Sequence, residues 1–151
     1  SDVCSSDLLH DIGKFISNRS HHKHSQYLIS TLNLFGMSET EKVMVGCIAR
    51  YHRRSRPLTR HSMYASLPFA MQILTQKLSS ILRVADALDK SHTQKISKID
   101  LEISGNDITL QVFTDDYITL EKESFEQKKG VFEETTGSRI SLRLIRNWAK
   151  L

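Results

Sequence analysis

The sequence predicts an α+β chain: a mostly α-helical segment followed by a small β-β-α-β appendage. Three observations carry this. Apolar residues recur at helical spacing from residue 8 to about residue 92. Two short segments, "KIDLEI" and "ITLQVF", then alternate apolar and polar residues around an "SGND" turn. A further helical stretch ends at Gly137, and "RISLRL" alternates once more. The 151 residues, 39% hydrophobic and 25% charged, suit one globular domain with room for an appendage.

"LLHDIGKFI", residues 8–16, reads as the end of a helix running into a turn at Gly13. "HHKHSQYLISTLNLFG" supplies the next helix, with Gly36 as its stop. At ~100° per residue, Leu28, Ile29 and Leu32 define its core direction. His21 falls near that direction, with His22 and His24 to either side. In "MSETEKVMVGCIARYHR", Ser38 and Glu41 have capping-box spacing. Met44, Cys47, Ile48 and Tyr51 form its apolar stripe, which makes Cys47 a packing residue. A polar, Arg-rich loop follows, and "FAMQILTQKLSSILRVADALDKSH" is long enough for a helix of several turns.

In the appendage, Ile99, Leu101 and Ile103 share one face of the first strand, and Ile108, Leu110 and Val112 one face of the second. Leu120, Phe125, Val131 and Phe132 recover helical spacing, and Ile140, Leu142 and Leu144 mark the last strand. The expected organisation is a tail over residues 1–8, a helical domain over 9–93 and the appendage over 94–151.

Composition narrows the function classes. No apolar run approaches membrane-spanning length, and nothing resembles a signal peptide. Two cysteines, Cys4 and Cys47, argue for a reducing compartment rather than a disulfide framework. The formal charge of +4 is unevenly spread: "ARYHRRSRPLTRH" carries Arg50, Arg53, Arg54, Arg56 and Arg60, with no acidic residue between them. Arginine suits forked contacts with phosphate oxygens, so a phosphate-rich partner is expected. A charge run of this kind is also compatible with a solvated helix end.

The chemistry-bearing residues lie in "LLHDIGK", "HHKHS", "YHRR" and "ILRVADALD". A carboxylate among apolar residues, as Asp86 is, demands a charge partner, hydrogen bonds or a metal. His10 and Asp11 are adjacent on a helix and can ligate one ion from adjoining directions. With Asp86 they form a mixed N/O set suited to Mn, Fe, Zn or Mg. Such an ion lowers the pKa of bound water and makes it a nucleophile toward phosphorus. Taken alone, a His-Asp pair is more simply read as hydrogen-bonded, with Asp86 salt-bridged to Arg83 or to an arginine of the loop; the order in which these segments recur shifts the balance.

Together, "LLHDIGK…HHKHSQYLI…ARYHRR…ILRVADALDKSH" resembles the HD-type domain of the exopolyphosphatase/guanosine pentaphosphate phosphohydrolase (Ppx/GppA) family. The resemblance runs from about Leu8 to the C-terminus, with the family's α/β subdomain accounting for the appendage. It implies that His10 and Asp11 are the paired ligands and Asp86 the closing aspartate, with His21 and His52 as further candidate ligands for Mg, Mn or Zn. It also implies that phosphoanhydride hydrolysis belongs to N-terminal actin-like domains, and that an upstream histidine of the HD pattern precedes this chain. The opening "SDVCSSDL" coincides with the translation of a common sequencing-library adapter, so residues 1–8 are expected to be a non-native tail.

The expected role is therefore the C-terminal HD-type portion of a cytoplasmic, homodimeric exopolyphosphatase. Arg50, Arg53, Arg54 and Arg56 would bind inorganic polyphosphate or guanosine pentaphosphate, and the main catalytic site would lie elsewhere. The alternative is an autonomous HD-superfamily phosphohydrolase acting on a nucleotide or phosphomonoester. Nucleic acid ranks last, because only Tyr51 and Tyr64 flank the basic stretch as stacking platforms.

Overall fold

Ser38 and Glu41 close the capping box that their spacing predicts. Ser38 Oγ accepts the Glu41 amide, and the Glu41 carboxylate accepts the Ser38 amide at 2.7 Å. The helix they start, α2, spans Glu39–Tyr51. The structure, a computed structural model, describes residues 9–33, 36–53 and 55–146. The expected tail, residues 1–8, and Arg54 lie outside the described residues. Two compact units make up the chain, residues 1–82 and 83–151.

In the first unit a 3-10 turn over Ile12–Phe15 precedes α1, His21–Thr31. Helix α1 stops short of the expected Gly36, because Leu32 is already extended at φ −70°, ψ 143°. Ser30 and Thr31 bond back to the Gln26 and Tyr27 carbonyls, side-chain bonds that compete with the backbone ladder near its end. The Arg-rich loop holds a four-residue helix, α3, Ser62–Ala65, that its composition did not announce. The long helix α4 spans Phe69–Leu88, and the division between the units falls within it, after Leu82. The change of hydrophobic period in the sequence comes later, after residue 93.

Helix α2 is buried on two sides. Met44, Cys47, Ile48 and Tyr51 pack with Tyr64, Leu67 and Leu82, while Val45 and Ala49 pack with Ile29 of α1. Gly46 permits that second contact, since a Cβ there would stand 2.8 Å from Ser30 Oγ. Cys47 is fully buried, as its place in the stripe predicts.

The second unit contains a three-stranded sheet in the order β1-β2-β3, with β1 Lys98–Ser104, β2 Asp107–Phe113 and β3 Arg139–Ile145. β1 and β2 are antiparallel with Leu101 opposite Leu110, and β2 and β3 are parallel with Leu110 opposite Leu142. A parallel pair needs a crossover, which α5, Thr119–Thr136, supplies. Helix α5 ends at Gly137 in the left-handed region, φ 75°, with its amide on the Glu133 carbonyl. Phe125 and Phe132 pack on Leu110, Val112 and Ile140, together with Val84, Ala87 and Leu88.

Two apolar patterns bury less than their spacing suggests. Ile99, Leu101 and Ile103 do share a face, but on β1, one of the two edge strands, they are 41%, 64% and 67% exposed. Leu120 is also exposed, and Val131 is half-buried. In their place Glu121 and Ser124 are buried on α5. Among the described residues no helix is long and apolar enough to cross a membrane.

Candidate functional site

The segment carrying His10 and Asp11 is stapled to α1 by one serine. Ser25 Oγ accepts the Gly13 amide at 2.9 Å and donates to the His10 carbonyl at 2.6 Å. Gly13 makes the approach possible, because a Cβ there would overlap the His21 carbonyl oxygen and the Ser25 amide. Asp11 is thereby brought against α1. Its Oδ1 lies 3.1 Å from His21 Nε2, and its Oδ2 lies 3.6 Å from His10 Nε2 and is bonded to Lys14 Nζ.

His52, the C-terminal cap of α2, completes the group. Its ring meets His10 edge-on at 4.9 Å between centroids and stacks on His21 at 5.7 Å. Donor atoms of His10, Asp11 and His52 all lie within 4.8 Å of one another. The Nδ1–H of His52 donates to the Ala49 carbonyl and that of His21 to the Asn18 carbonyl, so each ring presents Nε2. A backbone carbonyl only accepts, and this assigns the proton to Nδ1. His21 is buried and His22 and His24 are half-buried, as the helical wheel predicts.

Burial pushes the Asp11 carboxyl up, but the bond from Lys14 and the charges of His10, Lys14 and His21 outweigh it, leaving its pKa below the usual carboxylate value. His22 shows the opposite excess. Burial and the positive neighbours His21, Arg53, Lys23 and Arg50 push its pKa down to about 4. The group is thus a mixed imidazole–carboxylate set, of donor types that could hold a divalent ion, beside a strongly positive flank.

Asp86 belongs to the second unit, where its carboxylate is ion-paired with Lys128 of α5. Sequence reasoning, which offered metal or an arginine as its partner, did not anticipate that lysine.

The basic stretch is partly preorganised. Arg50 donates to Gln26 Oε1 at 2.6 Å, and its guanidinium stands 5.8 Å from the centroid of the Tyr51 ring. Arg53 is half-buried beside it, and Arg56 and Arg60 are exposed further along the loop. Tyr51 is a core residue, as its place in the apolar stripe predicts, and Tyr64, expected with it as a flanking stacking platform, is one too, 0% and 2% exposed. Burial pushes the Tyr51 phenol up to about 12. Its Oη is hydrogen-bonded to His61 Nδ1 at 2.7 Å. Four residues with structural or electrostatic roles here, Lys14, His22, Ser25 and Gln26, were not singled out from sequence. Their identities are ordinary for a helix and its flank, and only the folded contacts distinguish them.

The family model described as Ppx/GppA phosphatase, domain III, matches residues 3–129. The guanosine-5'-triphosphate,3'-diphosphate pyrophosphatase of Pseudoalteromonas translucida (strain TAC 125) is 31% identical over 77 residues, which are 51% of this chain and 15% of that protein. Since the family match spans the His-Asp segment, the basic stretch and both strands of the hairpin, this chain belongs to the Ppx/GppA phosphatase family through its domain III.

Proposed function

We propose that the chain is the polyanion-binding portion of an exopolyphosphatase or guanosine pentaphosphate hydrolase, and that phosphoanhydride cleavage takes place in another domain of the parent enzyme. The observation that carries this is the concentration of positive charge where the end of α2 meets the start of α1, with Arg50, Arg53 and Lys23 all acting on His22. Gln26 holds Arg50 in place, so part of the side-chain ordering cost is met before a ligand arrives. The name of the Pseudoalteromonas protein supports a substrate with consecutive phosphates. Burial of Tyr51 and Tyr64 removes the two rings a nucleic acid would stack on, which favours inorganic polyphosphate. The reading includes a cytoplasmic location and a homodimeric parent.

Arg50, Arg53 and Arg56 are the binding residues in this proposal, with Arg54 between them in sequence. A long polyanion contacts several guanidinium groups at once and releases counterions from each, whereas orthophosphate reaches one or two. The test is a calorimetric titration of the chain with long-chain polyphosphate and with orthophosphate across a salt series. Polyphosphate should bind more tightly, with a steep salt dependence that Arg50→Ala with Arg53→Ala flattens. Lys95→Ala with Lys98→Ala serves as a control of equal charge in the second unit. Equal weakening by the two pairs would reduce the effect to bulk charge and end the proposal.

The group of His10, Asp11 and His52 favours a second reading, in which the chain itself is a metal-dependent phosphohydrolase. A divalent ion held there, with Mg, Mn or Zn as the candidates, would supply an activated water. In that reading Asp11 and the two histidines hold the ion and Arg50 and Arg53 orient a phosphate. Turnover of a nucleotide by this chain alone, abolished by Asp11→Ala, would replace the first reading with the second.

A further inference from the structure

The Arg-rich loop leaves from one buried ring and returns to it. Tyr51 is the last residue of α2, and His61 immediately precedes α3. Their rings stack with centroids 5.6 Å apart at an interplanar angle of 20°, and Tyr51 Oη lies 2.7 Å from His61 Nδ1. Tyr51 packs with Cys47, Ile48 and Tyr64 in the core, so the loop is tied to a fixed anchor. The phenol is a donor at ordinary pH, since burial pushes it up to about 12. His61 Nδ1 is its one hydrogen-bond partner among the described residues, so Nδ1 accepts. The neutral imidazole therefore carries its proton on Nε2, the nitrogen that Tyr51 leaves free to donate.

The surroundings of His61 are positive. Burial, Arg50 of α2 and Arg60 of the loop together hold its pKa below the ordinary histidine value. Tyr51 of α2 and Tyr64 of α3, edge-on to Tyr51, are the other titratable groups packed there among the described residues. Gln26 fixes Arg50, whose guanidinium also stands beside the Tyr51 ring, so two donors around that ring are ordered before a ligand arrives.

We infer that His61 is a further phosphate-contacting residue of the basic stretch: Tyr51 presents it as an Nε2–H donor, and it takes up a proton as a polyphosphate chain binds. This rests on the polyanion reading, and adds to it a residue outside the arginine set and a linkage to pH. An anion drawn to Arg50 and Arg60 offsets the positive field that keeps the imidazole neutral, so the complex favours the imidazolium. A ligand that raises the pKa of a group binds more tightly as pH falls through that range. The imidazolium donates from both nitrogens, so its contact with phosphate no longer depends on Tyr51 to choose the tautomer.

The experiment is a calorimetric titration of the full chain with long-chain inorganic polyphosphate at about pH 8 and about pH 6, on either side of the ordinary histidine value. Affinity should rise by roughly fivefold or more at the lower pH. Its salt dependence should steepen there by about one charge. Heats measured in buffers of different ionisation enthalpy should report the proton taken up. His61→Gln should lose most of this pH dependence, while His92→Gln, at an exposed histidine of the second unit, should keep it. Tyr51→Phe retains the ring and should weaken binding about twofold to tenfold at the higher pH only. Circular dichroism checks folding, and if His61→Gln does not fold, the pH-selective effect of Tyr51→Phe decides the matter. The same pH dependence in wild type and His61→Gln would overturn the inference and leave the polyanion reading standing. Equal weakening by His61→Gln at both pH values would overturn it as well, since that marks a purely structural role. Absence of polyphosphate binding at either pH would remove the polyanion reading and this inference together.

Discussion

Ser25 and Gly13, twelve residues apart, are joined by a hydrogen bond from the Gly13 amide to Ser25 Oγ at 2.9 Å, and the same hydroxyl donates to the His10 carbonyl. One side chain thus satisfies two backbone groups of the segment that carries Asp11. It also fixes how far that carboxylate stands from α1. Replacing Ser25 by Ala leaves the buried Gly13 amide unpaired, which costs about 1–3 kcal/mol. Chemical denaturation should show that loss.

Gly13→Ala tests the same contact by overlap rather than by loss. The added methyl would collide with the His21 carbonyl and the Ser25 amide, which are backbone and cannot turn aside. We expect destabilisation of roughly 3 kcal/mol or more, read as a lowered melting temperature. A change within experimental error would mean that the 3-10 turn does not lie flush on α1.

Gln26→Leu separates placement from charge in the basic stretch. It removes the acceptor of Arg50 while keeping every arginine. The expected result is weaker polyphosphate binding with the salt slope nearly unchanged, because the slope counts neutralised phosphates rather than their geometry. Titration of the variant across the same salt series checks it, and a flattened slope would contradict it.

Glu121 supplies a pH-dependent term in the second unit. Its side chain is 1% exposed, its Oε1 accepts the Ser91 amide at 3.0 Å, and Lys95 stands 3.9 Å from Oε2. Burial pushes its pKa up, but the Ser91 bonds and the Lys95 charge prevail and hold it below the usual carboxylate value. A carboxyl whose pKa is lower in the folded state stabilises above its unfolded pKa, and that stabilisation is lost as pH falls through the folded value. Glu121→Gln should therefore cost about 1–3 kcal/mol at neutral pH. The gap between wild type and variant should close as unfolding is followed below pH 4.5.

Exposure on the edge strand predicts a contrast in stability. Leu101→Thr should change stability by no more than about 0.5 kcal/mol, as expected of a surface substitution. Val112→Ala, on the same face but 1% exposed, should cost roughly 1–3 kcal/mol. Equilibrium unfolding of the two variants decides it, and equal losses would show that the β1 face is packed.

Much of the fold was legible because it depends on local physics. The capping box at Ser38, the stripe from Met44 to Tyr51 and the alternation in "ITLQVF" and "RISLRL" are written in residues a few positions apart. Spacing also placed His21 on the inner side of α1, because a helical period fixes direction. The same period did not say where α1 would end, and near that end side-chain bonds from Ser30 and Thr31 compete with the backbone ladder.

Periodicity names a face but not what covers it. Ile99, Leu101 and Ile103 alternate as regularly as the residues of β2, yet on β1, one of the two edge strands, these side chains stay exposed. Tyr64 flanks the arginines in sequence and reads as an accessible ring, while packing between α2 and α3 buries it along with Tyr51 of the stripe. For the site, the order of histidines and aspartates identified its members by chemical type. Only the tertiary contact through Gly13 and Ser25 brought Asp11 to His21 and left Lys14 on the opposite oxygen. Asp86 took its charge partner from α5, forty-two residues along the chain. Ligand chemistry is a property of single residues, whereas distances between donors depend on how separate segments pack, and no local pattern encodes that.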